Sequence, residues 1–170
     1  MWKYTGQERP DFADTPGPGQ ESVWDYPRPP TLAVTDELVD VSIDYIPLAS
    51  SRSALRVLET ASPPTYYIPA ADIDWRLLVA TAHGSFCEWK GRASYFALAG
   101  NPAAGPVAWL YADPSERFAA LHDHVSFYPD RIDCFVNGER VRPQPGSFYG
   151  GWITDRVVGP FKGAPGTGHW

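Results

Sequence analysis

A chain of 170 residues with a formal net charge of -6 is long enough for one hydrophobic core and carries no basic stripe to neutralise phosphates along a nucleic acid. Its 18 Pro and 15 Gly stand well above the roughly 12% of an average protein, while an aromatic content of 14% excludes a disordered chain. No apolar run approaches the ~18 residues of a membrane span, and MWKYTGQERP has no apolar leader core. The expectation is a cytoplasmic protein without a membrane or nucleic-acid partner.

In chain order, residues 1–30 are rich in Pro, Gly and acid and end in WDYPRPP, which reads as an extended arm whose Trp24 and Tyr26 can dock on the domain. A single β-rich domain is expected over 31–158, followed by a Gly/Pro-rich tail over 159–170. From Val39 to Tyr45, apolar residues alternate with Asp40, Ser42 and Asp44, the period of a half-buried strand. SRSALRVLET predicts a short helical turn near 53–59, and TYYIP returns to extended chain with Tyr66 and Tyr67 on opposite faces. ASYFAL and VAWLY read as paired strands. Asp113, Pro114 and Glu116 in N-cap, N1 and N3 positions predict a capped helix near 114–125, with Phe118, Leu121, His122 and Val125 facing inward and His124 outward. RIDCFVNGERVRP is a hairpin with Asn137 and Gly138 in a type I′ turn.

The motifs SALRVLET, PPTYYIP, HGSFCEWKGRASYF, AWLYADP and FYPDRIDCFVNGERV, in that order, resemble the bacterial family known as domain of unknown function 427, over roughly residues 22–160. The family's central pattern matches at His83, Cys87, Lys90, Gly91 and Tyr95, with Glu88 where Pro is common. The resemblance implies a mostly β, β-tent-like fold of several small coiled antiparallel sheets, similar to methionine sulfoxide reductase B and the drug-binding domain of cereblon. The family sometimes carries the label nucleotidyltransferase. This sequence has no Gly-Ser followed by paired Asp-x-Asp carboxylates for two metals.

Four side chains are candidates for catalysis. Cys87 is a possible nucleophile, with His83 and Lys90 of the right type to stabilise a thiolate, and Glu59 is a possible base. Arg56, three residues before Glu59, is placed to pair with it or to clamp an anion. Tyr66, Tyr67, Trp89, Tyr95, Trp109 and Trp152 are candidate ligand-binding aromatics. The expected function is a small-molecule enzyme or binding protein with one aromatic-walled polar pocket and no cofactor. The alternative is a non-catalytic recognition module with a cage of Trp89, Trp109 and Trp152. No paired C-x-x-C knuckle marks a zinc site, so no metal is expected, and Cys134, between Ile132 and Val136 on an apolar face, reads as inert core.

Overall fold

The computed structural model describes residues 1–170 as a mostly β structure of four sheets. Strand β1 (Glu21–Ser22) precedes β2 (Thr31–Val34), β3 (Val39–Ile43), β4 (Ile46–Ser51) and β5 (Leu55–Leu58). Next come β6 (Thr65–Pro69), β7 (Leu78–Cys87), β8 (Gly91–Leu98), β9 (Pro106–Tyr111), β10 (His124–Phe127) and β11 (Asp133–Val136). Four two-residue strands follow: β12 (Glu139–Arg140), β13 (Arg142–Pro143), β14 (Trp152–Ile153) and β15 (Val157–Val158). The main sheet has seven strands in the order β2-β5-β6-β10-β9-β8-β7, and a second has four in the order β12-β11-β3-β4. All ladders are antiparallel except β1 with β15. No helix is long and apolar enough to cross a membrane.

The largest core cluster contains Val39 and Val41 of β3, Leu48 of β4, Tyr66 and Ile68 of β6, Val125 and Phe127 of β10, and Cys134 of β11. It lies between the two larger sheets because alternate residues of each strand point to one face. The opposite face of the seven-stranded sheet carries Val57, Tyr67, Ala93, Trp109 and Tyr111, closed at one end by Phe118 and Leu121. A third cluster joins the chain ends: Val23, Trp24 and Tyr26 pack with Ala61 and Val157, flanked by Phe161 and Trp170.

Two helical expectations are corrected. Residues expected as a helical turn near 53–59 instead form β5, paired with β2 on one side and β6 on the other. Backbone bonds on both edges outweigh the local helix preference of SALRVLE. The capped helix near 114–125 is reduced to 3-10 turns over Glu116–Leu121, kinked at Phe118 (φ -111, ψ 22). Ser115, not Asp113, precedes them, and its hydroxyl donates to the Trp89 carbonyl at 2.6 Å. Too few residues remain before β10 to repay helix nucleation, since β6 and β9 pair with the chain from His124 onward. Phe118, Leu121 and Val125 are buried as the spacing requires, but His122 is exposed beside Asp123.

Other expected elements are present. Strand β3 occupies most of the alternating segment, although Asp44 (φ 46) and Tyr45 (φ 67) form a left-handed turn that leaves Tyr45 exposed. Strands β8 and β9 pair as their sequences suggest. The β11–β12 hairpin turns through Asn137 (φ 49) and Gly138 (φ 80), both in the left-handed region that a type I′ turn demands.

Candidate functional site

On the outer face of the seven-stranded sheet lies a cleft of about 530 Å³. Alternation along the strands builds its floor: Tyr67 from β6, and Trp109 and Tyr111 two residues apart on β9. The Trp109 indole N–H donates to the Tyr67 hydroxyl at 3.2 Å, with the rings edge-on at 6.1 Å. Tyr128 packs on Trp109 with centroids 4.4 Å apart. Burial pushes the Tyr67, Tyr111 and Tyr128 phenols well above their ordinary value, so ionisation of all three is disfavoured even in alkaline solution.

One wall comes from the β7–β8 hairpin. Cys87 ends β7 and is half-buried, Trp89 and Lys90 sit in the turn, and Tyr95 of β8 shares a 2.6 Å hydrogen bond with Ser85. The Ser115 N–H donates to the Lys90 carbonyl at 3.0 Å, which ties this turn to the segment after β9. The Lys90 ammonium stands 5.8 Å from the Tyr111 ring centre. Across the cleft are Glu59, Thr65, Gln144 and Lys162, with Trp2, Phe148 and Tyr149 at the rim. Glu59 accepts from Arg28 at 3.2 Å, and Gln144 donates to the Lys162 carbonyl at 2.7 Å.

Seven of the residues singled out from sequence therefore line one cleft: Glu59, Tyr67, Cys87, Trp89, Lys90, Tyr95 and Trp109. Four do not. His83 lies on the exposed, bulged stretch of the edge strand β7, where its N–H bonds Thr81, so it is not positioned to serve Cys87. Arg56 and Tyr66 are register partners on the opposite face. There Arg56 is held by Glu21 at 3.0 Å and by the Tyr26 hydroxyl at 3.2 Å, rather than by Glu59. Trp152 is fully buried, stacked on Tyr66 at 5.1 Å and donating to the Phe127 carbonyl at 2.9 Å. A three-indole cage with Trp89 and Trp109 is thus not assembled, because the sheet separates Trp152 from them. Cys134 is buried in the core, and burial raises its thiol pKa well above the ordinary value.

Sequence reasoning missed Tyr111, Thr65, Tyr128, Gln144, Lys162 and Trp2. Period-two spacing from Trp109 and Tyr67 carried the signal for Tyr111 and Thr65. The others reach the cleft from turns and the chain ends, where no periodicity exists. No group of three or more His, Cys, Asp or Glu side chains comes together in a way that could hold a metal ion.

A search of curated proteins finds no match to this chain. A family model described as "Domain of unknown function (DUF427)" matches residues 31–138, which include β2 to β11 and the floor and hairpin wall of the cleft, but not Gln144, Lys162 or Trp2. With most of its length matched, including nearly all of its main sheets, the chain belongs to the DUF427 family.

Proposed function

We propose that the cleft binds a small organic molecule with a flat unsaturated body and a carboxylate or carbonyl end. The observation that supports this is the junction of an aromatic floor, Tyr67, Trp109 and Tyr111, with two amines, Lys90 and Lys162, at its margins. Aromatic faces favour a flat ligand, and a few polar groups around an apolar pocket fix its orientation. The phenol hydroxyls of the floor, protonated at neutral pH as any tyrosine is, can serve as donors. Catalysis by a Cys, His and Lys cluster loses its histidine, and what remains at the cleft is Cys87 beside Lys90.

The test is a thermal-shift screen with a panel of aromatic acids, aldehydes and their neutral isosteres. A ligand present at 100 times its Kd stabilises the native state by about 2.7 kcal/mol, so a concentration-dependent rise in Tm is expected. In the Lys90→Gln variant the rise should shrink for the acids more than for the isosteres. Absence of any shift across the panel, or an equal shift for acids in both proteins, would count against the reading.

A further inference from the structure

Cys87 closes β7 on the cleft side of the sheet. Its register partner is Gly91, while Ser85, two residues earlier, sits opposite Ala93, which in turn sits opposite Tyr111 of β9. Alternation therefore turns Ser85, Cys87, Ala93 and Tyr111 to one face, and the Cys87 side chain packs on the cluster that holds Tyr67, Trp109 and Tyr111. The floor beside it has a donor to spare. Tyr67 is 1% exposed and Tyr111 6%, and both line the cleft with their ring centres 6.4 Å apart. The Trp109 N–H and the two phenol O–H groups are three donors facing two phenol oxygens. Trp109 donates to Tyr67, and a bond between the phenols uses one of their two protons whichever way it runs. The other proton has no acceptor in the chain. A buried donor of this kind is costly to leave unpaired, and an oxygen brought by a ligand removes the cost.

We propose that Cys87 adds to an α,β-unsaturated carbonyl compound seated in the cleft, with the carbonyl oxygen accepting the unpaired phenol proton in a hydrogen bond. The inference rests on the reading of the cleft as a small-molecule site and narrows its ligand to a conjugated carbonyl. The thiol gives its proton to water, and the sulfur lone pair forms an S–C bond to the β-carbon. The electron pair of C=C moves toward the carbonyl, so negative charge gathers on its oxygen as an enolate. The Lys90 ammonium, 5.8 Å from the Tyr111 ring centre, favours that charge as the phenol does. Water then returns a proton to the α-carbon, and thiol plus enone gives a thioether with no change of oxidation state. Cys134, buried in the other core, has no such access.

The experiment measures adduct formation at Cys87 by mass spectrometry with two probes, 4-phenyl-3-buten-2-one and iodoacetamide, on the whole chain and on glutathione. Iodoacetamide reports thiolate content and access without calling on an oxygen partner, so the ratio of the two rates isolates the help given to the carbonyl. That ratio is expected to be about tenfold or more higher for Cys87 than for glutathione, as for one well-placed donor to a developing oxyanion. Replacing both phenols, Tyr67→Phe with Tyr111→Phe, removes the free proton in either arrangement and should bring the ratio down toward that of glutathione while iodoacetamide still alkylates Cys87. A ratio in the parent chain equal to that of glutathione overturns the proposal, whether or not the double variant folds. A raised ratio that survives in the folded double variant overturns the part given to the phenols. A parallel thermal shift uses 4-phenyl-2-butanone, which keeps the ring and the carbonyl but has no C=C to attack. A rise in Tm with it, without a raised ratio, leaves the cleft reading standing and sinks only the addition; if neither signal appears, both readings fall.

Discussion

Arg56 is enclosed to 4% of its side-chain surface, and the groups that hold it come from the chain before the first long strand. Glu21 accepts from Arg56 and from the Tyr26 hydroxyl at 2.7 Å, and a second cation, Arg156, reaches Glu21 and Glu37 at 2.7 Å each. Burial pushes the Glu21 pKa up, yet hydrogen bonds from Arg56 and Tyr26 outweigh it, and the folded value lies below the ordinary 4.5. A depressed carboxylate pKa contributes stability that is fully present above the unfolded value and is lost as pH falls through the folded one. Glu21→Gln should therefore be less stable than the parent at pH 7, by on the order of 1 kcal/mol given the partial exposure of Glu21, and the difference should shrink as pH falls below the ordinary value of 4.5. Urea unfolding at a series of pH values measures this, and a constant difference down to pH 3 would count against the role of Glu21. The pair that sequence spacing suggested, Arg56 with Glu59, is absent because each residue finds a partner distant in sequence: Glu21 for Arg56 and Arg28 for Glu59.

Among the elements, the β11–β12 hairpin was legible in two residues, while β5 was not. Asn137 and Gly138 tolerate positive φ by their own chemistry, so the turn is encoded locally, and Asn137 is further held by a contact distant in sequence, accepting the Leu38 N–H at 2.9 Å. Gly138→Ala should cost about 1 kcal/mol from the left-handed backbone alone, since no atom lies within 4 Å of the added methyl; equilibrium denaturation checks it. Strand β5 depends instead on partners 20 or more residues away or across a proline turn, and its residues carry good helix formers, so the local signal pointed the wrong way. The segment after Pro114 failed for a related reason: its apolar spacing marked the buried residues but did not reveal that β10 takes over at His124. For the cleft, residues on regular strands and in the β7–β8 turn were readable from type and spacing. Those delivered by turns and chain ends, above all Lys162, were not. A close approach of backbone holds that lysine in place: a Cβ on Gly163 (φ 135) would meet the Pro145 carbonyl oxygen at a distance no side chain tolerates.

At the scale of the whole molecule, the two chain ends close on each other. β1 runs parallel to β15, and Trp24 is fully buried with its indole N–H donating to the Pro160 carbonyl at 3.1 Å. Trp170 packs against Trp24 with centroids 5.3 Å apart. Trp24→Ala should accordingly destabilise the protein by about 3–5 kcal/mol, as for a large residue in a central core, whereas a loosely attached segment would give less than 1; chemical denaturation separates the outcomes. The seven-stranded sheet divides the rest of the molecule into two compartments, and β6 shows how finely. Tyr66 and Ile68 belong to the core between the sheets, while Thr65 and Tyr67 line the cleft. Neighbouring positions in one strand thus answer to separate demands. A substitution at 65 therefore reshapes the cleft face while the packing of 66 and 68 between the sheets stays as it is, so one strand can be altered on one side without disturbing the other.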